Sequence, residues 1–358
     1  MGYTLGMKKY QKLSGVKEIA RLADVSIGTV DRVIHNRTGV SAKTKSKIEN
    51  IIKQLNYQPN ILASRLASGK VYRLAVLIPR GSERTDFWDT PLKGIKRAEE
   101  EIRQYGISVA TFFFDLNDKS TFIASTEKIR QQKRFDGVLM APSFVKESIS
   151  FTRYCQEHSI PFVFIDSNIE VNGSLSYIGP PLFQSGFLGA RLCTFGMKNT
   201  KKILFITISK EKNRYNYSKI EEGFKNYFFE NDVDHQLIKL TITDTEKKSV
   251  FRNLEKAFVK HPDIEVIFVT NSRVFSVAQF LESKKHKKIH LVGYDFSKEN
   301  QNYLKNGLID FLICHKPEEQ GYRGLMSLYH HLALNLPVDQ VYFMPIDIVT
   351  KENQDFYR

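Results

Sequence analysis

Cysteine is scarce in this chain. Three residues in 358, Cys155, Cys193 and Cys314, are far apart and odd in number. No CxxC or Cys/His ligand spacing occurs, which speaks against a zinc module and a disulfide framework. Long hydrophobic runs are also missing. No stretch approaches the roughly 18 apolar residues of a membrane-spanning helix, and "MGYTLGMKKYQKLSG" holds no apolar core of a secretory leader. A cytoplasmic protein without membrane contact is the expectation. No GxGxxG or Walker A sequence follows any apolar run, which disfavours those nucleotide folds. No Ser/His/Asp arrangement or metal-ligand spacing is present, so no catalytic residue, metal or cofactor is expected.

What is present is a concentrated positive charge. The chain carries a net +14, and residues 1–70 hold 13 Lys and Arg against 4 Asp and Glu. That leaves +5 for the remaining 288 residues. Such a segment is either a solvated basic tail or the footprint of a polyanionic partner. Its apolar pattern favours the second. Val16, Ile19, Ala20, Leu22 and Ala23 recur at helical spacing, and Asp24-Val25-Ser26 breaks the run. Ser26 is a natural N-cap for a second helix whose inward face is Val30, Val33 and Ile34. Ser41 caps a third, with a stripe of Ile48, Ile51, Ile52 and Leu55. Three short helices with a tight first turn match a helix-turn-helix, or a plain three-helix bundle. The second helix also carries Ile27 and Gly28 in its exposed first turn, where a surface helix would place long polar residues.

The stretch "VKEIARLADVSIGTVDRVIHNRTGVSAKTKSKIENIIKQLNYQPN" resembles the headpiece of the lac repressor (LacI/GalR) family without a gap. Matching positions include Ala20, Ala23, Val25-Ser26, Thr29-Val30, Arg32-Val33, Val40-Ser41, Thr44, Leu55-Asn56-Tyr57 and Pro59-Asn60. Asp31 stands where Ser is common and His35 where Asn is common, both on or beside the DNA-facing surface. The resemblance implies a recognition helix in the major groove with its first turn nearest the base edges. Ile27 can touch thymine methyls, and Gly28 lets backbone approach DNA. Arg32 can bond guanine O6/N7, while Asp31 accepts from cytosine N4 or holds Arg32 in position. Ser26, Thr29, Asn36, Ser41 and Thr44 are expected at phosphates, which fix register and not sequence. Tyr57 belongs to the same expected DNA-binding set.

"NILASRLASGK", residues 60–70, favours helix but is too short to be stable alone. It is either a linker or, as the resemblance implies, a hinge helix that orders in the minor groove beside its dimer mate. Leu66 would then be the apolar wedge, Ala63 would sit near DNA or the partner hinge, and Asn60 would reach the backbone.

From Arg73 onward, apolar strands such as "RLAVLIP", "FDGVLMAP", "PFVFID", "KKILFIT", "EVIFVTN" and "IHLVGYD" alternate with amphipathic helices. That alternation predicts parallel α/β sheets. A break near Lys198–Lys202 points to two similar lobes of the periplasmic-binding-protein type. The expected division is a flexible 1–15, a headpiece at 16–59, a hinge at 60–70 and a two-lobed domain at 71–358. Lobe 1 takes about 71–178 and 316–343, and lobe 2 about 182–314 plus the C-terminal residues. Strand-end polar groups should face the cleft: Asp166, Asn168, Asn271, Asp295 and His315, joined by the aromatic Phe87 and Trp88. Each acid could instead cap the next helix. The resemblance supports Asp166, Asn271 and Asp295 as cleft residues and puts His315 where a ligand-contacting amide often sits. It departs at Ile220, where the family often has a ligand-binding Arg whose place Arg214 would take here, and at Pro181, where an acid or amide is common.

Carboxylates and amides for hydroxyls, with aromatic faces for a ring, suit a sugar pocket. The leading expectation is a DNA-binding transcriptional regulator, a repressor, controlled by a small carbohydrate effector. Its partners would be a palindromic double-stranded operator and a second copy of itself. No Leu-rich heptads follow "VYFMPIDIVTKENQDFYR", so a homodimer and not a tetramer is expected. A periplasmic sugar-binding protein and a cleft enzyme are the rivals.

Overall fold

The protein is described by a computed structural model covering residues 15–34, 37–55, 57, 70–81, 87–132, 134–169, 171–196, 202–210, 215–233, 235–284 and 289–357. His35, Asn36, Asn60, Ala63, Leu66 and Arg214, with the proposed hinge and most of the N-terminal segment, lie outside them. The chain divides into two compact units, one ending at Ser68 and one starting at Gly69.

The first unit is built on three helices: α1 (Val16–Ala23), α2 (Ile27–Ile34) and α3 (Ala42–Gln54). Asp24 takes a left-handed φ of 55° and stops α1. Two residues on, Ser26 Oγ accepts the Thr29 N–H at 3.1 Å and starts α2. Ser41 Oγ does the same for the Thr44 N–H at 3.2 Å and starts α3. These caps satisfy donors that a helix start leaves open. Ile19, Val30 and Ile48, one from each helix, are fully buried together. Lys47 Nζ donates to the Ala23 carbonyl at 2.7 Å, tying α3 to the end of α1.

The second unit holds two six-stranded sheets. The first contains β1 (Tyr72–Pro79), β2 (Ile107–Phe114), β3 (Gly137–Met140), β4 (Phe162–Ile165), β5 (Ser176–Gly179) and β11 (Val341–Phe343). Their order is β11-β5-β4-β3-β1-β2, all parallel. The second contains β6 (Lys202–Ile208), β7 (Gln236–Ile242), β8 (Val266–Val269), β9 (His290–Tyr294), β10 (Phe311–Cys314) and β12 (Asp347–Val349). Its order, β12-β10-β9-β8-β6-β7, repeats the first, with β12 antiparallel to β10. Strands β3, β4 and β8 are buried at every position, as sheets covered by helices on both faces require.

Helices α4 (Asp89–Arg103), α5 (Lys119–Gln131) and α6 (Val145–Glu157) follow β1, β2 and β3. Helices α8 (Tyr215–Asn231), α9 (Lys247–Lys260), α10 (Val274–Lys284) and α11 (Lys298–Lys305) follow β6 to β9. Two helices cross over. After β5, α7 (Leu182–Thr194) packs on the second lobe against α8; after β10, α12 (Pro317–Leu334) packs on the first lobe against α4. Each crossing is closed by a glycine pair. A Cβ on Gly94 would overlap the Glu318 carbonyl, and one on Gly321 the Pro91 carbonyl. In the other lobe, a Cβ on Gly223 would overlap the Phe183 carbonyl, and one on Gly186 the Ile220 carbonyl. The exchange of helices, with a third passage between β11 and β12, makes the junction a three-stranded hinge.

Helices α11 and α12 are not evident in the amphipathic pattern. Helix α12 contains Gly321 and Gly324 and buries residues against both α4 and the sheet, so it lacks one clear polar face.

Candidate functional site

On the headpiece, Ile27, Gly28, Asp31 and Arg32 share one face of α2, since residues four apart stack on a helix. Ile27 is 50% exposed although it is a large aliphatic residue. A Cβ on Gly28 would meet only Ser26 Oγ, at 3.8 Å. Nothing among the described headpiece residues therefore demands glycine there. Ser26 and Ser41 are exposed at their helix starts, while Thr29 and Thr44 are half-buried and bond them through both N–H and hydroxyl. Such N-termini suit phosphate oxygens. Asp31 forms an exposed ion pair with Arg37, at 3.1 Å. The Arg32 guanidinium runs beside Gly39. Tyr57 packs partly against the headpiece core, and burial raises its hydroxyl pKa.

In the second unit, a cavity of about 120 Å³ opens where the strand ends of the two lobes meet. Its lining includes Phe87, Trp88, Asp166, Asn271, Asp295 and His315. Asn168 is not among them. The chain turns sharply after β4, and the Asn168 carboxamide accepts the Ile169 N–H at 2.9 Å. It lines a separate outer hollow with Tyr177 and Val341. Trp88 is only 3% exposed and belongs mainly to the first lobe's core, with Phe87 against it edge to face at 5.3 Å.

Asp166 and Asp295 follow β4 and β9, the equivalent fourth strands of the two sheets, and both adopt left-handed φ angles, 65° and 70°. Non-glycine residues seldom do so, and such strain concentrates where function over-determines the backbone. The Asp166 carboxylate accepts from Ser167 Oγ at 3.1 Å and, across the cleft, from Asn216 Nδ2 at 3.4 Å. Asn216 Oδ1 is buried with no hydrogen-bond donor among the described residues. No described side chain donates to the Asp295 carboxyl; burial, and then the neighbouring Asp166 charge, push its pKa well above the usual carboxylate range. Asn271 is already engaged: its Nδ2 donates to the Ile208 carbonyl at 2.9 Å and to the Tyr217 hydroxyl at 3.2 Å. His315 is buried and pushed down to about 3 by that burial, so it is neutral at pH 7.

Among known proteins, residues 15–60 match the model for bacterial regulatory proteins of the lacI family, and residues 74–335 match a periplasmic binding protein domain. A Bacteroides fragilis chain assigned as a LacI transcriptional regulator is 31% identical in a solved structure. The likeness covers 81% of this chain and all of that one, with a TM-score of 0.72. This chain belongs to the lacI family. Among curated relatives, the transcriptional regulator MalR of Streptococcus pneumoniae is 26% identical over 72% of this chain and 76% of its own. The ribose operon repressor of Halalkalibacterium halodurans is 26% identical over 79% and 80%. The protein is accordingly a helix-turn-helix, DNA-binding transcriptional regulator with a periplasmic-binding-protein-like domain. The relatives are regulators and not enzymes.

Several buried polar residues that bond to this regulator's cavity lining are invisible to the strand-end rule. Asn300 is fully buried, and its Nδ2 donates to the carbonyls of Ser272, Tyr294 and Asp295 at 2.9–3.0 Å. Its Oδ1 accepts the Phe275 N–H at 3.0 Å. Ser185 and Gln320 occupy matching places on the two crossed-over helices, one residue before Gly186 and Gly321. The paired motifs "SGFLG" and "QGYRG" are an internal repeat that could have located both.

Proposed function

We propose that this regulator represses transcription in the cytoplasm, binding a palindromic double-stranded operator as a homodimer. In this reading a small carbohydrate, a monosaccharide or derivative, occupies the cleft between the lobes and controls operator affinity. The supporting observation is the pair of equivalent acids on opposite walls of one small cavity, with the Asp295 carboxyl left without a described donor. Buried acceptors are costly until a donor reaches them. Adjacent hydroxyls of one sugar ring, donating to Asp166 and Asp295, would satisfy both walls and draw the lobes together. Phe87 offers an apolar face, Asn216 Oδ1 offers a further acceptor, and about 120 Å³ favours one ring over an oligosaccharide. The relative named as a ribose operon repressor fits the same ligand class.

On the DNA side, Arg32 and Ile27 read base edges, Gly28 admits the backbone to the groove, and Ser26, Thr29, Ser41 and Thr44 take phosphates. Calorimetric titration with a panel of monosaccharides tests the cleft. At least one sugar should bind the native protein, and Asp295→Ala should weaken it strongly. Equal affinity in both would remove the acids from the site. Selection from a random DNA pool tests the operator, which should emerge as an inverted repeat.

A further inference from the structure

A buried chain of hydrogen bonds runs through the hinge. The Asp166 N–H donates to Gln320 Oε1 at 3.0 Å, and Gln320 Nε2 donates to the His315 carbonyl at 2.8 Å. His315 Nε2 lies 2.8 Å from Ser185 Oγ, and the Ser185 hydroxyl donates to the Tyr294 hydroxyl at 3.1 Å. Ser185 has a single proton, already given to Tyr294. The neutral His315 must therefore carry its hydrogen on Nε2 and donate it to Ser185. Every bond then points the same way, from Asp166 in the first lobe to Tyr294 beside Asp295 in the second. Gln320 is 3% exposed, Ser185 0% and Tyr294 3%. Tyr294 ends the chain with its own proton still to give, and it lines the cleft. Burial raises its pKa, so the proton stays.

The five groups come from the end of β4, α12, the end of β10, α7 and β9. The chain thus passes through both crossed-over helices and one of the three hinge passages. Gln320 meets His315 at its backbone carbonyl and Ser185 meets it at its ring, so the covalent frame of His315 joins the two halves, and a buried network that loses one member leaves the others unsatisfied.

We propose that Gln320, His315 and Ser185 are positioning residues that act as one hydrogen-bond chain, coupling the backbone of Asp166 in one lobe to Tyr294 in the other and so fixing the angle between the lobes. The chain holds both walls of the cleft in register. It rests on the effector reading only for its purpose, and its test needs no effector, so either can fail alone.

The test uses the full-length protein with spin labels on two exposed lysines, Lys128→Cys on α5 and Lys256→Cys on α9. The native cysteines are all buried. The interlobe distance distribution should be narrow in the parent and broader in Ser185→Ala and in Gln320→Met. The double variant should be no broader than the wider single one, because one break disables the chain. Gln320→Glu supplies a second readout and an alternative if Gln320→Met does not fold. Its protonated carboxyl offers one acceptor and one donor, as the amide does, whereas its ionised form has no donor for the His315 carbonyl. That variant should be narrow in acid and broad at neutral pH, with the parent narrow at both. Unchanged widths, additive broadening in the double variant, or a pH-independent Gln320→Glu would each overturn the proposal.

Discussion

Asp166 and Asp295 stand at the same place in two copies of one architecture, yet they are held differently. Asp295 is supported within its own lobe: its N–H bonds the Ile313 carbonyl at 3.0 Å and its carbonyl accepts from Asn300 at 2.9 Å. Asp166 is held in its own lobe by the Tyr177 hydroxyl at its carbonyl and Ser167 at its carboxylate, and in addition by Gln320 of the crossed-over helix at its N–H and by Asn216 from across the cleft at its carboxylate. The first lobe's acid is thus tied to the hinge and the opposite wall, while among the described residues no side chain donates to the second lobe's acid. In the reading proposed above, the repeated backbone carries two tasks: one acid reports the angle between the lobes, and the other receives a ligand hydroxyl.

The comparison can be broken most forcefully at Asn300, which has no counterpart of equal reach among the described residues of the first lobe. Asn300→Ala strands four backbone groups in the interior, each worth about 1–3 kcal/mol when unmet. A loss of about 4 kcal/mol or more in urea unfolding is expected, and a loss under about 1 kcal/mol would show that the loops it ties are held by something else. The glycine crossings sharpen the symmetry. Gly94→Ala and Gly223→Ala both place a Cβ against a carbonyl, and each should cost about 1–3 kcal/mol. A cost in only one lobe would deny that the crossings are equivalent.

The headpiece offers a smaller contrast between neighbouring arginines. Arg32→Ala should lose about 1–3 kcal/mol of discrimination at one base pair per half-site. Arg37→Ala breaks only an exposed ion pair, whose stability contribution is at most about 1 kcal/mol. Binding measured on operator variants separates them, and a uniform loss over all sequences in Arg32→Ala would make that residue a phosphate contact.

The smallest effect is a pH slope. The folded-state pKa of Asp295 is raised, so its contribution is fully present below the unfolded carboxylate pKa and is lost as pH rises through the folded value. Asp295→Asn should therefore gain stability relative to the native protein as pH rises above the ordinary carboxylate range. A stability difference flat in pH would mean that Asp295 titrates normally.

Much of this was legible in the sequence. Near-continuous apolar runs such as "AVLI" and "VIFV" define buried parallel strands, and Ser26 and Ser41 announce their helices because a cap is a local interaction. The strand-end rule found Asp166, Asn271, Asp295 and His315. It misplaced Asn168, because the left-handed turn at Asp166 redirects the chain within two residues. It missed Ser185, Asn300 and Gln320 altogether. Each is a small polar residue near a helix start, where solvent exposure is the ordinary expectation, and what buries it is a partner distant in sequence. Asn216 escaped notice for the same reason, since its partner lies in the other lobe.

The central claim is that a sugar held between Asp166 and Asp295 governs DNA binding. It is tested most directly by measuring operator affinity at fixed salt while titrating a panel of monosaccharides into the native protein and the Asp295→Ala variant. The account predicts that at least one sugar changes the native affinity, and that the variant binds the operator normally but no longer responds. A variant that responded to the same sugar over the same concentration range would contradict it.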